Sequence, residues 1–357
     1  DKRWERTETL TVGVDFTLLD RSLDVSVDYF SKKTKNLLEY MPLSVTSGYD
    51  QEPWGNIGNV TNKGWEFNVN YNRKFGDLSV DFFSNLSTVK NEVKNIGVRP
   101  FISHDKDYTY FGLSPLRSSV GQPWFAYYVY DVVGVFKNEE EINSYIYKDP
   151  ITGATSKLQP DAQPGDFIYR DADNNGVIND NDRVYKGSYL PKYTYAFGAN
   201  FEYKGVDLSI MFQGVGGNKI YNVFRQNGVF GQNGNNMLKE TLDSWSFNPE
   251  SNFPRLGLLT SGAGGGVNYN RVNSFFLESG SYLRLKNIVV GYTLPKPLMK
   301  NIGLPSSSLR FYVSGENLAT ITPYKGTDPE VDQSLNGIDA STYPLARIFT
   351  FGLNLSF

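Results

Sequence analysis

Side chains in this chain alternate between apolar and polar over stretches longer than an ordinary soluble strand, and this alternation constrains the fold more than any other feature. In an extended strand successive side chains point to opposite faces, so residues i, i+2 and i+4 share one. Leu10, Val12, Val14, Phe16 and Leu18 alternate with Thr11, Gly13, Asp15 and Thr17, and Trp65, Phe67, Val69 and Tyr71 alternate with Glu66, Asn68, Asn70 and Asn72. The same pattern returns from Tyr193 to Tyr203 and from Phe349 to Phe357. One face is oily and the other polar. Strands in soluble sheets run about 5 or 6 residues. Several here run about 11 to 13, and a tilted strand needs about 9 to 11 to cross the hydrocarbon layer. The lengths predict an all-β fold, a transmembrane antiparallel β-barrel.

Residue usage agrees. The chain carries 24 Tyr and 24 Phe in 357 residues, and several stand beside tight turns: Phe75 precedes Gly76 and Asp77, Tyr203 precedes Lys204 and Gly205, and Tyr292 ends another strand. Such positions form an aromatic girdle at a membrane interface. No segment approaches the roughly 18 consecutive apolar residues of a spanning helix. A net charge of −3 with both signs scattered leaves no basic stripe for a nucleic-acid backbone, so nucleic acid is excluded as a partner. The absence of Cys removes disulfides, thiolate metal sites and thiol nucleophiles together. The first residues, DKRWERTETL, have neither the apolar run nor the cleavage site of a signal peptide, so the chain is either not exported or a mature or truncated piece of an exported protein.

Asp20 and Arg21, Gly76 and Asp77, and Lys204 and Gly205 read as hairpin turns, whereas 36–62, 92–190, 214–280 and 320–345 are long connections. Short turns on one side and long loops on the other give the periplasmic and extracellular sides of an outer-membrane barrel. Nine staves are expected, at 7–19, 22–35, 63–75, 78–91, 192–203, 205–213, 281–293, 308–318 and 346–357. The strand-like stretch 122–136 must then belong to an extracellular excursion, because otherwise the hairpin at Lys204 opens on the wrong side. An odd number of antiparallel strands does not close evenly, and bacterial single-chain barrels carry even numbers. Residues 1–357 are therefore read as the C-terminal portion of a larger barrel, with earlier strands outside it.

The octet TFGLNLSF, with Thr350, Gly352, Leu355 and a terminal Phe357, is similar to the C-terminal signal by which barrel-assembly machinery recognises its clients. The runs WERT (Trp4 to Thr7), PGDFIYRDADNNGVINDNDR (Pro164 to Arg183), YLRLKNIVVGYTLP (Tyr282 to Pro295) and NLATITPYKGTDPEV (Asn317 to Val331) resemble, in order and spacing, the C-terminal part of SusC/RagA-type TonB-dependent transporters of the Bacteroidetes outer membrane. The resemblance covers nearly the whole chain. It implies a 22-stranded barrel with an N-terminal plug, TonB-driven uptake of oligosaccharides or peptides, and a SusD-like surface lipoprotein over the extracellular mouth. The nine staves then fit as the last nine, and TonB acts through the missing plug.

Asp171, Asp173, Asn175, Gly176, Val177, Asn179 and Asp182 follow the spacing of a calcium loop. Oxygen donors stand at positions 1, 3, 5, 9 and 12, Gly176 allows the sharp turn, and the Val177 carbonyl serves at position 7. Asp182 replaces the usual Glu at the last position. The alternative is a solvated turn rich in Asn and Asp, which favour such turns for their own hydrogen bonds. A bound Ca2+ would be structural, stiffening the loop. Trp124, Phe125, Tyr127, Tyr128 and Tyr130 crowd an extracellular stretch and are suited either to contact a solute or lid protein, or to pack within the loop. The glycine-rich 261–270 is a mobile contact loop or a spacer.

Enzyme chemistry finds no support. His104 is the only histidine, no GxSxG elbow precedes a helix, and Glu139, Glu140 and Glu141 read as a solvated turn. Gly214 to Lys219, GVGGNK, lacks phosphate-loop spacing. The competing reading is a calcium-stabilised β-rich carbohydrate- or protein-binding module whose apolar faces pack on each other.

Overall fold

A computed structural model describes residues 2–357 except 41–47, 49–52, 98, 105–113, 231–235, 257–267, 269–270, 302, 305–306 and 331–335. The glycine-rich 261–270 falls outside the described residues apart from Asn268. Nine strands make the wall: β1 (Arg6–Leu18), β2 (Leu23–Tyr40), β3 (Trp54–Phe75), β4 (Leu78–Thr88), β5 (Tyr193–Tyr203), β6 (Val206–Gly216), β7 (Tyr282–Thr293), β8 (Ser308–Ile321) and β9 (Ile348–Ser356). They pair antiparallel in chain order, and a further strand, Lys90–Asn95, pairs with the upper part of β3 beside this path. The sheet is open, since β1 and β9 each have one neighbour among the described residues.

Register carries the alternation from strand to strand. One row runs Leu18, Leu23, Tyr71, Phe82, Ala199, Ile210, Ile288, Gly315 and Phe349, each paired with the next. This face stays uncovered, with Val12 59% and Phe351 79% exposed. A soluble module would pack such a face; a barrel turns it to lipid. At the two-residue turn between β5 and β6, Lys204 (φ 48°) and Gly205 (φ 85°) adopt the left-handed pair that matches the twist of the flanking strands. The β7–β8 connection, carrying a short helix (Lys296–Asn301), lies at the same end as the hairpin turns.

One expected loop is largely strand. Within 36–62, β2 and β3 continue as a paired ribbon as far as Tyr40 opposite Trp54. Two register shifts, between Thr34 and Leu38, with Asn36 at φ 58°, break the alternation there, and this hides the strands from a period-2 reading.

The long connections at the other end build a packed body with its own core. Ala126–Tyr130 lies between Leu116–Ser118 and Arg183–Ser188 in a small sheet, and Val132–Val135 pairs with Phe167–Tyr169. The stretch 122–136 is thus outside the wall, as strand direction required. Tyr127, Tyr221, Phe230, Phe276 and Ile338 meet in one apolar cluster, and Phe167, Tyr169 and Ile178 in a second. A third, of Val60, Val93, Ile96 and Ile102, joins the body to the top of β3. No described helix is long and apolar enough to cross a membrane.

Candidate functional site: the luminal face and its mouth

Opposite the lipid-facing row, register aligns Asp15, Ser26, Asn68, Asn85, Ala196, Gln213, Arg284 and Thr320 into one continuous row. It is built almost wholly of hydrogen-bonding side chains. A barrel whose inner face is polar and whose outer face is apolar encloses water or solute.

Two arginines organise this face. Arg284, on β7, is buried; its Nη2 donates to Asp328 at 2.5 Å, its Nη1 to Glu330 at 2.9 Å and its Nε to the Thr320 hydroxyl at 2.9 Å. It fastens the β8–β9 loop to the wall at the mouth. Burial pushes the Asp328 carboxyl up, but the Glu330 and Leu345 amides and Arg284 outweigh that and hold it below the usual range. Nearer the turns, Arg310 of β8 reaches across β7 to Asp207 of β6, with Nε 2.9 Å from Oδ1. Gly291 lies beneath, and a Cβ there would meet Arg310 Nη2 and Asp207 Oδ1 at 2.5 Å each. Glycine at 291 is what lets the pair span three strands.

Above the row, a hollow of about 550 Å3 opens between wall and body, lined by Asn85, Thr194, Gln213, Asn218 and Tyr189 among others. A neighbouring hollow of about 410 Å3 is lined by Trp124, Phe125, Tyr189, Asn62 and Asn91 and by no charged side chain. Both are within the size range of small-molecule sites.

The five aromatics divide. Tyr127 (0% exposed) and Tyr130 (5%) are core residues, and a contact role for them is withdrawn. The Tyr127 hydroxyl donates to the Gly337 carbonyl at 2.8 Å, across 210 positions of sequence, and the Tyr130 ring packs on Tyr169 and Ile178. Tyr128 is half-buried beside Tyr185. Trp124 and Phe125, also half-buried, line the uncharged hollow. His104, given no role by the sequence, is buried beside them: Nε2 lies 2.8 Å from the Ser118 hydroxyl, which accepts from Phe125 N at 3.0 Å, and the His104 and Phe125 ring centroids are 3.9 Å apart. No sequence motif marks this clamp, because its members are brought together only by folding.

The Asp-rich loop curls as its spacing predicts. Asp171, Asp173 and Asp182 bring one carboxylate oxygen each within 4.8 Å of one another, and Gly176 has φ 86°. Gly176 N donates to Asp171 Oδ2 at 2.9 Å, Val177 N to Asn175 Oδ1 at 2.8 Å, and Ala172 N and Asn179 N to the two oxygens of Asp182 at 2.7 Å each. Desolvation, followed by the negative charges of Asp182 and Asp171, holds the Asp173 carboxyl above its ordinary value. A hard cation relieves such crowding, and the donors are all oxygen.

Thr350, Gly352 and Leu355 lie on β9, at the sheet edge; Phe357 follows it and is 92% exposed. Gly352 faces the Tyr312 ring, which a Cβ would meet at 2.4 Å. The glutamates 139–141 open a short helix (Glu139–Ser144) capped by Asn138, rather than forming a turn. GVGGNK covers the end of β6 and the start of the next strand, with Gly217 at φ 79°.

Residues 2–318 match the family described as TonB dependent receptor-like, beta-barrel. The chain belongs to the TonB-dependent receptor β-barrel family. Among its relatives is TonB-dependent receptor P3 of Formosa agariphila, 32% identical over 99% of this chain and 34% of that protein. Another is TonB-dependent receptor SusC of Bacteroides thetaiotaomicron, 26% identical over 99% of this chain and 32% of that protein. The fold is also that of a solved chain of the RagAB peptide transporter, with TM-score 0.76 and 22% identity over 99% of this chain and 36% of that one. The SusC/RagA-type resemblance read in the sequence therefore stands, and the apolar face of this TonB-dependent receptor barrel is its outer-membrane surface. The soluble binding-module alternative falls with it. The chain spans about a third of the length of these relatives.

Proposed function

We propose that this chain forms the C-terminal wall of an outer-membrane importer, the last nine strands of a 22-stranded barrel that takes up oligosaccharides or peptides without catalysing a reaction. The carrying observation is the polar luminal row that continues across β1 to β8 beneath hollows at the mouth. TonB acts on a plug held by the rest of the protein, a SusD-like lipoprotein covers the extracellular body, and the strand ending near Phe357 is the assembly signal. The names of SusC and of the RagAB peptide transporter support nutrient uptake as the class. Deleting the gene, or TonB, is expected to abolish accumulation of the labelled solute on which the gene is induced, and affinity purification of the receptor is expected to bring a lipoprotein with it. Undiminished uptake in both deletions sinks the importer reading; purification of the receptor alone sinks the lid.

The Asp171–Asp182 loop is proposed as a structural Ca2+ site, with Asp171, Asp173, Asn175, Asn179 and Asp182 as side-chain ligands and Val177 as a carbonyl ligand. The converging carboxylates support it. Calorimetric titration of Ca2+ into the full-length receptor should give a heat that Asp171→Ala removes. Equal heats from both proteins refute the site.

A further inference from the structure

A third hollow, of about 700 Å3, opens where Lys90–Asn95 diverges from the segment entering β5. Its lining includes Lys90, Lys186, Lys192 and Lys219 and no Asp or Glu. Lys186 is paired with Asp131 at 2.6 Å and Lys90 with Glu92 at 3.4 Å, both acids standing outside the lining. Lys192 and Lys219 have no ion pair among the described residues. Gly217 and Gly187 crowd the stems of these two lysines: a Cβ at 217 would meet Lys192 at 2.8 Å, and one at 187 would meet Lys219 at 2.9 Å. Two uncompensated ammonium groups in one concavity focus a positive field and raise the local concentration of anions.

This hollow adjoins the uncharged one, and the two share Val89, Asn91, Leu190 and Pro191. On the uncharged side Asn91 is fixed from both ends, its Oδ1 accepting from Trp124 N at 2.7 Å and its Nδ2 donating to Asn62 Oδ1 at 2.6 Å. Asn62 lines the hollow, and accepting through Oδ1 leaves its amide nitrogen with two protons to donate. Phe125 is held at φ 52°, a conformation costly for a bulky side chain and typical of ligand clamps. Its ring and that of Tyr189 stand 6.5 Å apart, edge to face. Rings with fixed amides suit the apolar face and hydroxyl rim of a sugar, while lysines beside them suit a carboxylate or sulfate on the next sugar.

From this juxtaposition we infer that the paired hollows form a subsite for an acidic oligosaccharide, with a neutral ring against Phe125 and Tyr189 and the anionic group of the next sugar between Lys192 and Lys219. The inference rests on the importer reading and narrows its solute class. An acidic peptide would also satisfy the lysines, but the ring-and-amide side favours a sugar, and tetra-aspartate tests the difference. Lipid phosphate shares the anionic chemistry, so the test separates the two.

Binding is measured by calorimetry on the purified full-length receptor in detergent, with no energy source, so the result is independent of transport. The probes are an aldotetraouronic acid (a glucuronate carried on xylotriose), a sulfated carrageenan tetrasaccharide, maltotetraose, tetra-aspartate and bisphosphorylated lipid A. At least one acidic tetrasaccharide should bind, and maltotetraose more weakly. Lys192→Gln and Lys219→Gln should each weaken the acidic probe by about ten-fold, the loss of one charge-assisted contact. Lys192→Arg and Lys219→Arg, which keep the charge, should retain most of it and show that the fold is intact. Tetra-aspartate or lipid A binding in preference to both acidic saccharides, neither saccharide binding, or equal affinity in the Gln variants would overturn the subsite. The importer reading fails separately, if uptake survives deletion of the gene.

Discussion

The wall and the body built from its long connections are stabilised in opposite ways. On the wall, every second residue from Leu10 to Leu18 and from Phe349 to Leu355 is apolar and uncovered, and the polar row faces an open lumen; pairing and lipid hold these strands. In the body a core of large apolar groups is inside, and Tyr127, Tyr169, Tyr221, Phe167, Phe230 and Phe276 are fully buried. Some of its charges are buried with partners as well. Arg225 donates to Glu240 Oε1 at 2.6 Å and Glu278 Oε1 at 3.2 Å, with its guanidinium 4.7 Å from the Phe275 ring centre. The wall is a surface between two solvents, whereas the body is a water-soluble domain core assembled from loops. A single chain thus needs two opposite rules for where an apolar residue belongs.

The largest expected effect breaks the body and spares the wall. Arg225→Ala leaves Glu240 and Glu278 without their buried partner, which costs about 3–5 kcal/mol. Protease should then cut the extracellular loops of the receptor while the barrel keeps its heat-modifiable migration on gels. Loss of both together would show that the two regions fold as one unit. The next effect tests the wall's two faces. Val27→Arg, on the lipid face, should cost about 2–4 kcal/mol in refolding into lipid vesicles. Ser26→Arg, its neighbour on the luminal face, should cost less than about 1 kcal/mol. Equal losses contradict the assignment of faces.

The smallest effect is at the seam. Asp328 has its folded-state pKa below its unfolded value of about 3.9. Its contribution is therefore complete above about pH 4 and is lost as pH falls through the lower, folded-state value. Hydrogen exchange of the described part of 322–347 should stay constant from neutral pH to about pH 5, once corrected for intrinsic rates, and rise below about pH 4. In Arg284→Gln it should already be fast at neutral pH. A rise centred near neutrality points to a group other than Asp328.

The difference between wall and body also decided what was readable. Each of the nine wall strands overlaps its expected stave, and their order and direction follow from parity and the turns. The misreading at 36–62 came where bulges near Asn36 break the period. In the body, the crowding of aromatics that suited Tyr127 and Tyr130 either to contact or to packing within the loop comes from a small buried sheet, which places both in the core. The Asp171–Asp182 loop was legible because its geometry is local: Asn, Asp and Gly at fixed spacing bend the backbone around their own carboxylates. The Arg225 cluster, the His104–Ser118–Phe125 clamp and the lysine-lined hollow were not, since no recurring residue spacing marks the contacts that each makes.

By itself, then, the sequence determined the wall: an extended backbone gives a strict two-fold periodicity, and membrane thickness sets the length over which it must hold. Tertiary structure alone decided which loop aromatics are core, which arginines are buried, and where lysines and rings meet at the mouth. Those outcomes depend on non-local closure, such as Tyr127 reaching Gly337, for which no residue spacing supplies a signal.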